Sequence, residues 1–361
     1  MLYILIAILV FGFLILIHEF GHYITARLCG VHIHEFAIGM GPKLVWYTSK
    51  KTGIVYSLRM FPIGGFVSML GENPDADDER PRPLAMPDGT DFDPSRSLAN
   101  KPAWQRFIVN AAGATMNLLL GFTIMAILAA TLNLGSTVVA EFYTPEGVEI
   151  TTSSQEQGLM VGDEILKVNG KRVYIAEQLM YRILHDGEEP VVLTLQRGDE
   201  IKDITLTFAT FTESGVVVGQ PDFKVFVEEK TVGTVIKHAF HKSVYVVGMI
   251  WESMYDMVTG KYTVEAMSGP VGVAGAISDA AKAGWENLLL IAAIISINLG
   301  LFNLLPFPAL DGGHLLFILI EMCTGKKVPA KVGAIIDAVG LLLLFALMIF
   351  VTFQDIIKLV W

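Results

Sequence analysis

The sequence is poor in charge and almost without cysteine. Only 17% of its 361 residues are Asp, Glu, Lys or Arg, against about 25% in a typical soluble domain. The net charge is -10 and no lysine-rich run or basic stripe occurs, which excludes nucleic acid as a partner because nothing is present to neutralise phosphates. The 2 cysteines, Cys29 and Cys323, are too few and too far apart for a disulfide framework, and no C-x-x-C pair is available to a structural metal. They read as free thiols.

What replaces charge is apolar length. Hydrophobic residues make up 53% of the chain and the mean hydropathy is positive, which marks a membrane protein. Crossing about 30 Å of hydrocarbon takes roughly 20 helical residues, and runs of that kind are predicted at 2–28, 107–132, 286–305 and 334–353. The first has no Lys or Arg before it and no small-residue cleavage site after it, so it is expected to stay attached rather than act as a signal peptide. Lysine and arginine cluster after the first run (Arg27, Lys43, Lys50, Lys51), before the second (Lys101, Arg106) and between the third and fourth (Lys326, Lys327, Lys331). Those loops are expected to be cytoplasmic, with the N-terminus and the 136–284 segment outside the membrane.

Between the first two runs, "GIVYSLRMFPIGGFVSML" from Gly53 to Leu70 mixes β-branched and aromatic residues with Pro62, Gly64 and Gly65 as turn or bulge signals. It predicts a β-hairpin. The following Gly71 to Ser97 stretch is acidic, proline-rich and short of large apolar groups, as a solvated linker is. The outer segment carries "GLMVGDEILKVNGKRV" (Gly158 to Val173), then a helix-like "AEQLMYRILHD" and two strand-like runs. The Gly-Asp turn and Asn-Gly hairpin signal resemble the PDZ family from about Glu141 to Phe208, and one such module fits. It can be a peptide groove or a filter against bulky ectodomains; with no ligand signalled, the filter is favoured. Thr231 to Thr259 predicts an amphipathic helix on or partly in the membrane surface. The expected architecture is thus a polytopic α-helical membrane protein with four transmembrane helices, a membrane-associated β-hairpin and one α+β, β-barrel-like PDZ domain. Its parts are 1–135, 136–230, 231–284 and 285–361.

The first apolar run contains "HEFGH", and ionisable groups inside a membrane are costly and functional by default. His18 and His22, four apart on a helix, present two imidazoles to one metal, with Glu19 beside them. This is the H-E-x-x-H arrangement of zinc hydrolases, in which catalytic zinc takes three protein ligands and keeps one position open. A third ligand near the membrane is therefore required. Asp311 supplies it in "NLGLFNLLPFPALDGGHLL" (Asn298 to Leu316), where Pro306 and Pro308 break the helix after the third run and Gly312 and Gly313 permit turns. Irregular backbone at membrane depth suits the lining of a wet cavity.

H-E-F-G-H in the first helix together with N-L-L-P-F-P-A-L-D-G-G resembles the site-2 protease family of intramembrane zinc metalloproteases, in particular its bacterial regulator-of-sigma-E-protease branch. "GMGP" at Gly39 to Pro42 resembles the glycine motif after the first helix, and "FPIGGFVSMLGE" resembles the hairpin that holds substrate extended. "NAAGATMNLLLGF" (Asn110 to Phe122) resembles the second-helix motif, with Ala114 where many members have proline. The resemblance implies that His18, His22 and Asp311 bind Zn2+ and that Glu19 is the general base. It implies that Asn303, Pro306, Gly64 and Gly65 help to position substrate. It further implies a peptidase of the bacterial cytoplasmic (inner) membrane, acting on transmembrane segments of anti-sigma factor or leftover signal peptide type, with membrane lipid around it.

Two rival classes are a silent PDZ scaffold, which needs none of the four site residues, and a zinc carrier, which needs several ligand pairs along a path. His32 and His34 share a strand face but lack an evident third ligand, so a structural or solvated role is favoured. His314 is either a partner of Asp311 or a polar residue near a helix end. At 1.5 Å per residue His18 lies about 26 Å along the helix from Met1, which places the site nearer the cytoplasmic side.

Overall fold

The structure, a computed structural model, describes residues 2–72, 93–144, 152–213, 216–259 and 268–360. Most of the acidic linker and part of the PDZ-like stretch lie outside the described residues. The chain forms two compact units, Met1–Phe122 with Met249–Trp361, and Thr123–Gly248.

Among the described residues, four helices are long and apolar enough to cross a membrane: α1 (Leu2–Leu28), α2 (Ala103–Thr131), α6 (Trp285–Leu304) and, within α8 (Ala330–Val360), Lys331–Lys358. They match the four predicted runs to within a few residues. Helix α1 buries Leu14, His18, Gly21 and His22 on one stripe, while Leu5, Leu9 and Phe13 around it stay exposed. That division is expected of a helix with protein on one side and lipid on the other. Small residues set the helix spacing: Gly21 faces the Ala112 carbonyl of α2, and Gly300 of α6 faces that of Ala114.

Strands β1 (Ile33–Thr48) and β2 (Val55–Met69) follow α1. The expected self-paired hairpin within 54–70 is corrected here. Residues 33–38 of β1 lie between two parts of β2, with Ile33 opposite Met69 and Ile38 opposite Gly65 on one side, and Phe36 opposite Tyr56 on the other. Gly65 and Leu58 therefore flank β1 instead of pairing with each other. The physical reason is burial: Ile33 and Ala37 of β1 and Val67 and Met69 of β2 share apolar faces that would be bare in an isolated hairpin. The remainder of β1, with Leu44, Val45, Trp46 and Tyr47, is exposed and apolar.

After helix α5 (Pro270–Ala283) and α6, the chain turns at Leu305–Leu310 and enters α7 (Asp311–Thr324). Ala309 in that turn has φ +67°, a left-handed conformation that costs a non-glycine residue energy unless its surroundings hold it. Its amide donates to Asp337 Oδ1 of α8 at 3.1 Å.

In the second unit, strands β3 (Leu134–Phe142), β4 (Glu164–Val168), β6 (Val191–Arg197), β7 (Glu200–Leu206) and β10 (Phe223–Glu228) form a sheet of order β10-β3-β4-β6-β7, with β5 (Lys171–Arg172) on β4. Helix α3 (Ala176–Asp186) closes its core through Leu179 and Ile183, against Ile165, Leu193 and Phe223. β8 (Ala209–Glu213) and β9 (Val216–Gln220) pair separately. The Asn-Gly signal is a two-residue turn, with Asn169 and Gly170 both at positive φ between Val168 and Lys171. The Gly-Asp signal also has a cause: the Asp163 carboxylate accepts from the Met160 amide and from both Nε and a terminal nitrogen of Arg197. Helix α4 (Val232–Val258) occupies the stretch expected to be a surface helix.

Candidate metal centre and active site

Helix α1 carries His18 and His22 one turn apart, and the break after α6 delivers Asp311 as the first residue of α7. Asp311 therefore sits where the unpaired amides of a helix start favour an anion. Three atoms converge: Asp311 Oδ2 lies 3.1 Å from His18 Nε2 and 3.4 Å from His22 Nε2, and the two Nε2 atoms are 3.3 Å apart. Four ligands at about 2.05 Å around a tetrahedral zinc are separated by about 3.3 Å. The observed triangle has the dimensions of one face of such a tetrahedron. Among the described residues this is the one group of three potential ligands, so His32 and His34 gain no third member. Their rings pack edge to face.

Helix α2 builds the wall behind this face. His22 Nδ1 donates to the Val109 carbonyl at 2.8 Å. Since a carbonyl can only accept, the Nε2 lone pair of His22 is left free for a metal. Asn117, fully buried, has its amide 3.3 Å from His18 Nδ1. Between them lies Gly113, where a Cβ would stand 2.3 Å from His22 Nε2 and 2.7 Å from His18 Nε2. A side chain there would fill the space beside both Nε2 atoms that a metal bound to them would need. The second-helix motif contains Gly113 and Asn117, but sequence reasoning gave no role to them or to Val109, although the spacing of four places all three on one face of an apolar helix.

Glu19 is half-buried beside the triangle. Gly65 of β2 runs against it: a Cβ on Gly65 would stand 3.2 Å from Glu19 Cγ and 3.0 Å from the Ala37 carbonyl. Gly65 is thus a neighbour of Glu19. Gly64 has φ +87° and packs against the Met40 side chain. Asn303 donates its side-chain amide to Leu299 within its own helix, and Pro306 is exposed in the turn. His314 lies 3.9 Å from Asp337 Oδ2, so the residue it faces is Asp337.

A buried face of two imidazoles and a carboxylate with a glutamate alongside, carried by helices fit to cross a membrane, defines the class: a membrane-embedded metallopeptidase. Residues 6–347 match the description "Peptidase family M50", and the chain belongs to that family, the site-2-type zinc metalloproteases. A Clostridium perfringens protein provisionally named a zinc metalloprotease is 37% identical over 99% of both chains. The zinc metalloprotease RasP of Geobacillus kaustophilus is 30% identical over 97% of both chains. The regulator of sigma-W protease RasP of Bacillus subtilis is 29% identical over 98% of this chain and 97% of its own.

Proposed function

We propose that His18, His22 and Asp311 hold the zinc and that Glu19 is the general base for hydrolysis of peptide bonds in transmembrane segments. The observation that carries this reading is the 3.1, 3.3 and 3.4 Å triangle of donor atoms. Bound zinc supplies Lewis acidity, which polarises the scissile carbonyl and acidifies water to near neutral pH. Glu19 accepts a proton from the attacking water as its oxygen bonds to the carbonyl carbon. The same carboxyl then gives that proton to the leaving amine as the C–N bond breaks.

A transmembrane substrate has all its amides bonded within its own helix, and unwinding it frees them where no water can serve. The strand around Gly64 and Gly65, which touches Glu19, supplies partners by β-augmentation. Asn303 and Pro306 help to position the substrate backbone near the metal. The name of the Bacillus subtilis relative links it to sigma-W. Anti-sigma factors, or leftover signal peptides, are the corresponding substrate class here. The chain lies in the bacterial cytoplasmic membrane with its N-terminus and the 136–284 segment outside. The sheet unit is a single PDZ module that filters substrates by size.

Zinc content and cleavage of a model transmembrane substrate, compared for wild type and Glu19→Gln in detergent, test this. Zinc retained with cleavage abolished in the variant is expected. Equal cleavage by both overturns the role of Glu19, and zinc bound without cleavage by either favours a carrier or scaffold.

A further inference from the structure

We propose that Asn117 is a positioning residue that supplies the acceptor for Nδ1–H in the metal-binding tautomer of His18, and so sets how tightly the site holds its metal. This rests on the metal-site reading above. His18 reaches the triangle through Nε2, and a neutral imidazole can give that lone pair to a metal only when the proton is on Nδ1. An Nδ1–H in a dry interior needs an acceptor, because an unmet buried donor carries the full desolvation cost.

His22 has the Val109 carbonyl for this purpose, a group that supports one tautomer only. His18 has Asn117. The amide nitrogen of Asn117 stands 3.3 Å from Nδ1, and its Oδ1, also buried, has no hydrogen-bond partner among the described residues. An amide is nearly symmetric in shape, and exchanging its two ends by a half-turn of the side chain sets the unmatched oxygen against Nδ1–H. In one setting Nδ2–H donates to a bare Nδ1, and Nε2 carries the proton towards Asp311 Oδ2. In the other, Oδ1 accepts from Nδ1–H and the Nε2 lone pair is free. Asn117 can therefore serve the ring both with and without metal. The fixed point is its backbone: Ser296 Oγ of α6 donates to the Asn117 carbonyl at 2.8 Å, and both residues are fully buried.

The three choices of side chain predict three behaviours. Leucine has nearly the same shape and accepts nothing, so Asn117→Leu leaves Nδ1–H unmet. Asn117→Asp accepts from Nδ1–H and cannot support the opposite tautomer, giving a carboxylate–histidine pair of the kind that raises ligand basicity. A residue that only fills space would show the reverse order, since leucine would preserve packing and a buried aspartate would damage it.

The test is zinc affinity of the purified full-length chain in detergent, measured by competition with a chelator of known affinity, with His22→Ala as the metal-free control. Asn117→Leu is expected to bind zinc roughly 10- to 100-fold more weakly than wild type, the range typical of lost outer partners. Asn117→Asp is expected to match or exceed wild type. Leucine within twofold of wild type overturns the proposal, as does aspartate more than tenfold weaker; if the leucine variant does not fold, the aspartate result decides. A wild type that binds no zinc overturns the metal-site reading and this inference together, whereas a zinc-binding wild type with an unaffected leucine variant overturns only the inference.

Discussion

Gly113→Ala is the smallest change that should disable the centre. The added methyl has no free volume to enter: its carbon would lie 2.3 Å from His22 Nε2, 2.7 Å from His18 Nε2 and 2.8 Å from His18 Cε1, where ordinary contact begins at 3.4 Å. The 2.3 Å separation is close to the roughly 2.0–2.1 Å expected between zinc and an imidazole nitrogen, so the methyl would crowd a metal held by these two nitrogens. Relief requires the imidazoles to move by about 1 Å, a misplacement that can cost about 100-fold in rate. They cannot move freely, because Val109 and Asn117 of the same helix hold their far nitrogens. The alternative, α2 backing away from α1, costs about 1–3 kcal/mol of packing.

Gly113→Ala should therefore remain folded, with a melting temperature a few degrees lower, while its zinc content falls at least about tenfold and cleavage at least about 100-fold. Zinc is read by elemental analysis of the purified chain and cleavage on a model transmembrane substrate. Ile108→Ala, at an exposed position of the same helix, should leave both readouts unchanged. Full zinc and near-normal cleavage in Gly113→Ala would refute the claim that this glycine is the space for the metal.

Three further outcomes follow from other contacts. Gly65→Val places branched carbon against Glu19 Cγ and the Ala37 carbonyl, so cleavage should fall at least about tenfold with zinc content intact; a parallel loss of zinc would mean that the strand shapes the metal site itself. Asp337→Leu removes the acceptor that holds the Ala309 amide in its left-handed turn, two residues before Asp311, and chelator competition should show weaker zinc binding; unchanged affinity would mean that the turn holds itself. In the sheet unit, burial works to raise the pKa of Asp163, but hydrogen bonds from Arg197 and the Met160 amide outweigh it and hold the carboxyl below its usual value. A depressed folded pKa gives stability that is complete above the unfolded value of about 3.9 and is lost as pH falls through the folded one. Arg197→Leu should therefore flatten the acid loss of stability below about pH 5, read by thermal unfolding of the sheet signal, and an unaltered profile would exclude this pair as its source.

The parts legible in the sequence were those whose signal is local. Four apolar runs became four helices because length and composition alone decide that outcome in lipid. His18 and His22 were legible because a spacing of four is a helix face, and the Asn-Gly turn because only a few residues accept two positive φ angles. The pairing of β2 was not legible: strand partners depend on which distant surface buries the alternate face, and Ile33 and Ala37 lie outside the stretch whose turn signals suggested a hairpin. Asn117 and Gly113 lie in the legible second-helix motif, but their roles were not legible for a related reason. A polar residue and a glycine in an apolar helix declare that something approaches, but what approaches is set by tertiary structure. The Asp311 turn lies between, since Pro306, Pro308 and the following glycines marked a break, while Asp337, which holds it, stands on another helix.

Helix α2 supplies no metal ligand, yet the centre is organised on it. Val109, Gly113 and Asn117 recur every four residues, and each meets His18 or His22 with a different kind of group: a carbonyl that accepts, an empty place and a reversible amide. A backbone carbonyl can take this part because His22 Nδ1–H needs only one acceptor of fixed polarity, and replacing Val109 leaves that carbonyl in place. Side-chain substitution at Val109 should therefore disturb packing more than metal binding, whereas substitution at Gly113 or Asn117 should disturb metal binding more than packing. Within lipid, where no water can satisfy a stray imidazole N–H, such a row does two tasks together: it gives each Nδ1 a partner and leaves the Nε2 atoms uncrowded. His18 and His22 on α1 thus share one reference, the same face of α2.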